Sequence, residues 1–274
     1  FLVSSIVHNF STLGIILLSI LVGYILWKNH IKHKKIEEIT STIEVYNLRK
    51  IKDPIPAIKT SFEQTSKLLE EVSNSIARSL YGLKLYDRIE LRIARDDTKK
   101  IQEWTNIIVA NIFKTLRLLS KIDIKHTQRY AQIISNLQEI AESQRDIAMR
   151  SYLHVENHHK RLLKEQIIEL DQIIHSVKDL LDFTTQSLKQ DKIANLTVIK
   201  KKCDKISKLI SEFDKRQIIR VQNQTSKTRL SILFYAYLVN ASKIANCTKN
   251  ILEIFNESFK INGISKKRSN KQKV

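Results

Sequence analysis

The chain has 274 residues, only four of them Gly and two Pro, while 42% are hydrophobic; so few turn-forming residues exclude a sheet-rich architecture and favour long helices. The formal charge of +19 is compatible with nucleic acid, an anionic membrane surface or a Lys-rich background, and its distribution has to separate these. Two cysteines, Cys203 and Cys247, are too few for a disulfide scaffold and suit a reducing compartment.

Phe1 to Trp27 contains no Asp, Glu, Lys or Arg, and its densest stretch is FSTLGIILLSILVGYILW, from Phe10 to Trp27. That is close to the ~20 apolar residues a spanning helix needs, so 1–27 is predicted as a transmembrane helix. Lys28, Lys32, Lys34 and Lys35 follow at once, with His30 and His33 between them. Trp27 and these four lysines are the expected membrane-interface residues, and the basic side faces the cytoplasm. A signal peptide fits less well, because the basic cluster follows the apolar run and no small-residue cleavage pattern precedes it. The opening at Phe1, inside an apolar run with no basic flank, reads as the last span of a longer membrane protein. Residues 28–52 are expected as a basic helical linker, ended by Asp53-Pro54-Ile55-Pro56.

Six helices are then expected from apolar residues returning at three- and four-residue steps. The first covers about 57–83 through Phe62, Leu68, Leu69, Val72, Ile76 and Leu80, with Gly82 as its end. The second covers about 87–120 through Ile93, Ile101, Trp104, Ile108, Ile112 and Leu116. The third, about 127–157, carries Ile133, Leu137, Ile140 and Ile147; the fourth, about 164–188, carries Ile167, Leu170, Ile174, Val177, Leu181 and Leu188. The fifth, about 192–222, carries Leu196, Ile199, Cys203, Ile206, Ile210 and Phe213, which makes Cys203 a small buried hydrophobe. The sixth, about 226–259, has Ser226 as its expected N-cap and the stripe Leu230, Leu233, Phe234, Tyr237, Ala241, Ile244, Ile251 and Phe255. Stripes this narrow need neighbours, and short connections make neighbours antiparallel. Two tandem three-helix bundles over 53–262 satisfy both conditions, with a basic, disordered tail over 263–274 able to lie on anionic lipid. The expected class is all-α, one N-terminal transmembrane helix followed by this pair of bundles.

The segment from Leu137 to Asp182, LQEIAESQRDIAMRSYLHVENHHKRLLKEQIIELDQIIHSVKDLLD, and that from Asp214 to Glu253 resemble the PhoU-like domain appended to certain bacterial inorganic phosphate transporters of the PiT family. The turn His154-Val155-Glu156-Asn157-His158-His159-Lys160 and the junction GYILWKNHIKHKK are similar to the corresponding pieces of that family. The resemblance implies a PhoU-like cytoplasmic module of a phosphate transporter in the bacterial inner membrane. Its partners would be membrane lipid and a missing upstream transport domain, with phosphate reached only through that domain. Self-association into a homo-oligomer is left open.

PhoU proteins hold metal clusters on repeated carboxylate motifs, and the resemblance lays these on Gln138 and Glu142 and on Ser242 and Asn246 here. One carboxylate of four leaves no metal site, and no cofactor is expected. Read without the family, Glu142 and Asp146 are a solvated face pairing with Arg145 or Arg150. His154 and His158, four apart, lack a third ligand and lie where a helix ends. Asp96 and Asp97 sit among Arg92, Arg95, Lys99 and Lys100 as a balanced exposed face. No phosphate loop, Cys-x-x-Cys pair or nucleophile elbow is present, so an enzyme is not expected. No groove-reading motif supports nucleic acid. The alternative to a transporter segment is a stand-alone single-pass scaffold or signalling protein whose bundle binds a partner helix.

Overall fold

The computed structural model describes residues 21–27, 54–119, 124–190 and 195–271, and every regular element among them is a helix. The chain divides into two compact units, Phe1–Val45 and Tyr46–Val274. In the first, residues 21–27 (α1) are helical and exposed, with the Tyr24 and Trp27 rings 6.3 Å apart. The remainder of the span expected over 1–27 lies outside the described residues, as do Lys28, Lys32, Lys34, Lys35 and the linker 28–52. Among the described residues no helix is long and apolar enough to cross a membrane.

The second unit contains α2 (Pro54–Leu85), α3 (Arg88–Leu119), α4 (Ile124–Glu156), α5 (Lys164–Lys189), α6 (Leu196–Gln222) and α7 (Thr228–Lys271). Helices α2, α3 and α4 pack on one another pairwise, and so do α5, α6 and α7. Broad contacts of α2 with α5 and of α4 with α7 join the two trios. The result is a closed ring of α2, α4, α7 and α5, with α3 over the α2/α4 edge and α6 over the α5/α7 edge. Gln144 donating to Ser75, and Phe62 against Tyr130, set α4 parallel to α2. Ser151 with Tyr237, Asp146 with Asn240 and Asn136 with Asn250 set α7 antiparallel to α4. The connections 86–87, 157–163 and 223–227 therefore gather at one end, and the N-terminus of α2 lies at the other.

The apolar stripes meet inside the ring. Phe62 packs edge-on against Phe255, centroids 4.8 Å apart, and Leu68, Val72, Leu137, Leu170 and Ile244 are fully buried. Small hydroxyl residues share these seams and let the helices approach closely. Thr65, Ser79, Thr105, Ser151 and Thr184 each donate to the carbonyl four residues back, so their burial leaves no donor unsatisfied.

Several expectations need correction. Pro54 begins α2 instead of standing apart from it, because the first helical positions have no internal N–H bond to lose. Gly82 does not end α2; it lies inside the last turn, where Leu91 comes so near that an added Cβ would sit 2.8 Å from its Cγ. In α3 the buried register near the start is Leu91, Ala94 and Thr98, which leaves Ile93 exposed. Leu196 is likewise exposed, and Asn195 caps α6 by accepting from the Thr197 N–H at 3.0 Å. The stretch expected as a disordered tail over 263–274 is helical as far as Lys271. No proline interrupts it, and a helix propagating from a packed segment needs no new nucleus.

Candidate functional site

All three connections at the loop end are built alike. The first or second residue after the helix takes a positive φ: 61° at Tyr86, 52° at His158 and 57° at Gln224. The next N–H then closes the helix, from Asp87 to the Gly82 carbonyl (2.8 Å), from His159 to that of His154 (3.1 Å) and from Thr225 to that of Arg220 (3.0 Å). This satisfies carbonyls the helix end would otherwise leave open. Glycine usually occupies such a position, and here none does.

The 157–163 connection is the hub. The Tyr86 hydroxyl donates to the His159 carbonyl at 2.5 Å, the Arg161 guanidinium lies over the Tyr86 ring, and Arg88 pairs with Glu156. From the first turn of α7, the Arg229 guanidinium donates to the His159 ring, its Nη1 2.9 Å from Nδ1.

Beneath it runs a buried polar network that ties α5, α6 and α7. Gln166 accepts from the Leu163 N–H and donates to Gln217 (3.0 Å) and Ser226 (3.2 Å). Gln217 donates to Ser226 (3.0 Å) and Ser231 (2.9 Å), and accepts from Arg220 Nε at 2.8 Å. The other two Arg220 nitrogens grip both oxygens of Glu169, at 3.1 and 2.5 Å. Ser226 is therefore a network member and not the N-cap of α7, which starts at Thr228. The network is closed, and water would find no unmet group to bind.

Glu142 and Asp146 pair with Arg145 and Arg150, as expected of a solvated face. Glu142 is held in a fork by Arg145, and Asp146 by Arg150 (2.7 Å) and Asn240 (2.8 Å). Hydrogen bonding from Arg145 lowers the Glu142 pKa. Asp96 pairs with Arg95 and Asp97 with Arg78, so those two carboxylates also point to different partners. His154 is buried, with Nε2 2.8 Å from the Lys160 carbonyl, and burial holds its imidazole below the usual range. His158 lies beyond the helix end, so the two do not share a helix face. The ring beside His154 is instead that of His159, 5.3 Å away. Among the described residues no group of three or more His, Cys, Asp or Glu could hold a metal ion. Cys203 and Cys247 are free, and burial pushes the Cys247 thiol up to about 11, which keeps it protonated and unreactive.

A groove opens between the end of α4 and the start of α7, and a separate cavity of about 520 Å³ lies beside Leu83, Arg161 and Ile168. Two adjoining cavities, of about 280 and 400 Å³, share His159 and Arg229. Leu153, Ile232 and Leu233 line the first; Lys160, Lys227 and Leu230 line the second. No protein-family model matches the chain, and no curated protein matches it. The groove has an apolar floor and a cationic rim, an arrangement suited to binding.

Proposed function

We propose that this chain is the C-terminal part of an inorganic phosphate transporter of the bacterial inner membrane, carrying the last membrane helix and a PhoU-like regulatory domain in the cytoplasm. The observation that carries this reading is the joining of two three-helix units into one ring. That is the layout implied by the resemblance of Leu137–Asp182 and Asp214–Glu253 to PhoU-like domains. The apolar run 1–27 and the lysines after it support a membrane junction at its N-terminal side. The bundle regulates transport and catalyses nothing; phosphate passes through the upstream domain, and lipid is the other partner.

The test is initial-rate uptake of labelled phosphate by cells in which the gene is intact, deleted, or truncated before residue 53. Deletion is expected to lower uptake, and truncation to change its rate or its response to external phosphate. Uptake identical in all three strains would overturn the reading. A single-pass scaffold is the second reading, favoured by the cation-rimmed groove; it expects a membrane protein whose loss leaves phosphate uptake untouched.

A further inference from the structure

We infer that the groove between the end of α4 and the start of α7 docks an acidic, amphipathic helical segment of a partner polypeptide. This does not rest on the proposed role in phosphate transport.

The first argument is charge. From Lys215 to Leu252 there is no Asp or Glu, against seven Lys and Arg. Several exposed cations of the bundle are answered by carboxylates, as Arg129 is by Glu257, Lys189 by Glu70 and Lys243 by Glu139, but the lining of the groove contains no Asp or Glu. Lys160, Lys227 and Arg229, which line it, are in no ion pair with a carboxylate among the described residues. Arg229 is held instead against the His159 ring. Three cations without counter-charge around one depression are complementary to an acidic ligand.

The second argument is the floor. Leu153 and Ile232, which line it with Leu233, are 45% and 53% exposed. Leu153 comes from α4 and Ile232 from α7, so the apolar face of a helix laid along the seam between them meets both. A concave, apolar floor suits side chains inserted from a helix more than a flat layer of headgroups. A second copy of this chain would bring like charges together. The groove also lies at the end of the bundle away from the N-terminus of α2, which is about 48 Å distant for a 32-residue helix.

The experiment places a photo-crosslinking residue at Ile232 of the full chain, in the cells that make it, with Phe113 as control. Phe113 is equally exposed, at 53%, near the opposite end. Adducts are mapped by mass spectrometry. The expected result is an adduct at position 232, absent at 113, to one polypeptide segment with Glu and Asp in excess and apolar residues at helical spacing. Lys227→Glu with Arg229→Glu should lower its yield about tenfold or more, since two rim charges then repel the ligand. Both positions are exposed, and unchanged thermal melts of the double variant confirm an intact bundle; Lys227→Gln with Arg229→Gln replaces it if they shift. Adducts to phospholipid alone, to a second copy of the chain or to a basic segment would overturn the inference. So would equal labelling at 113, no adduct, or a yield indifferent to the rim charges.

Discussion

His154 and Gln224 show how single positions at the loop end carry consequences that differ in sign. Burial depresses the His154 pKa in the fold, whereas the unfolded chain binds a proton near the usual ~6.5. The unfolded state therefore holds more protons at mildly acidic pH, so the stabilising contribution is complete above that value and is lost as pH falls. Melting temperature should drop between about pH 7 and about pH 5, and His154→Gln, which keeps a donor for the Lys160 carbonyl, should flatten that slope. An equally steep slope in the variant would place the titration elsewhere. Gln224 is exposed at a φ of 57°, a conformation that costs an L side chain roughly 1–2 kcal/mol. Glycine removes that strain but adds ~0.4–1 kcal/mol of unfolded-state entropy. Gln224→Gly is thus expected to stabilise by about 0.5 kcal/mol, measured by denaturant titration, and a loss of stability would mean the side chain has an interaction beyond the turn.

At the scale of elements, the corner of α5, α6 and α7 rests on Glu169, whose side chain is 4% exposed, and on Arg220. Arg220→Ala leaves a buried carboxylate without its fork and should cost about 3–5 kcal/mol, while adding Glu169→Gln should recover part of the loss. A mild effect of the single change would show that Arg216, 3.5 Å from the same carboxylate, takes over. This corner was not legible in the sequence. Gln166, Gln217 and Ser226 have the composition of a solvated face, and what buries them is the meeting of three helices. The His159–Arg229 contact spans 70 residues of chain and was equally invisible. The helices themselves were legible, because Leu68 to Leu80 and Leu230 to Phe255 return to one face at helical period. Their ends were less so: a proline that breaks a helix also starts one, and Gly82 serves close packing against Leu91 rather than termination.

Across the whole molecule, the two flanking helices are not equivalent. Helix α3 buries eleven residues against the ring and α6 only five. A helix held down by less buried surface opens at lower cost, so amide exchange in native conditions should be fastest in the middle of α6 and slower in the middle of α3. Equal protection would mean that the bundle opens only as a unit. The ring also gives the most direct test of the proposed regulatory role, because it can be broken without changing residues 1–52. Ile244 is fully buried and Lys249 half-exposed. Ile244→Asp buries an unpaired carboxylate and should destabilise the bundle by several kcal/mol, while Lys249→Asp should change little. With the full gene expressed at matched membrane abundance, labelled-phosphate uptake should be altered by Ile244→Asp and normal with Lys249→Asp; uptake unchanged by both, with the bundle of the first variant shown to be unfolded, would contradict the account.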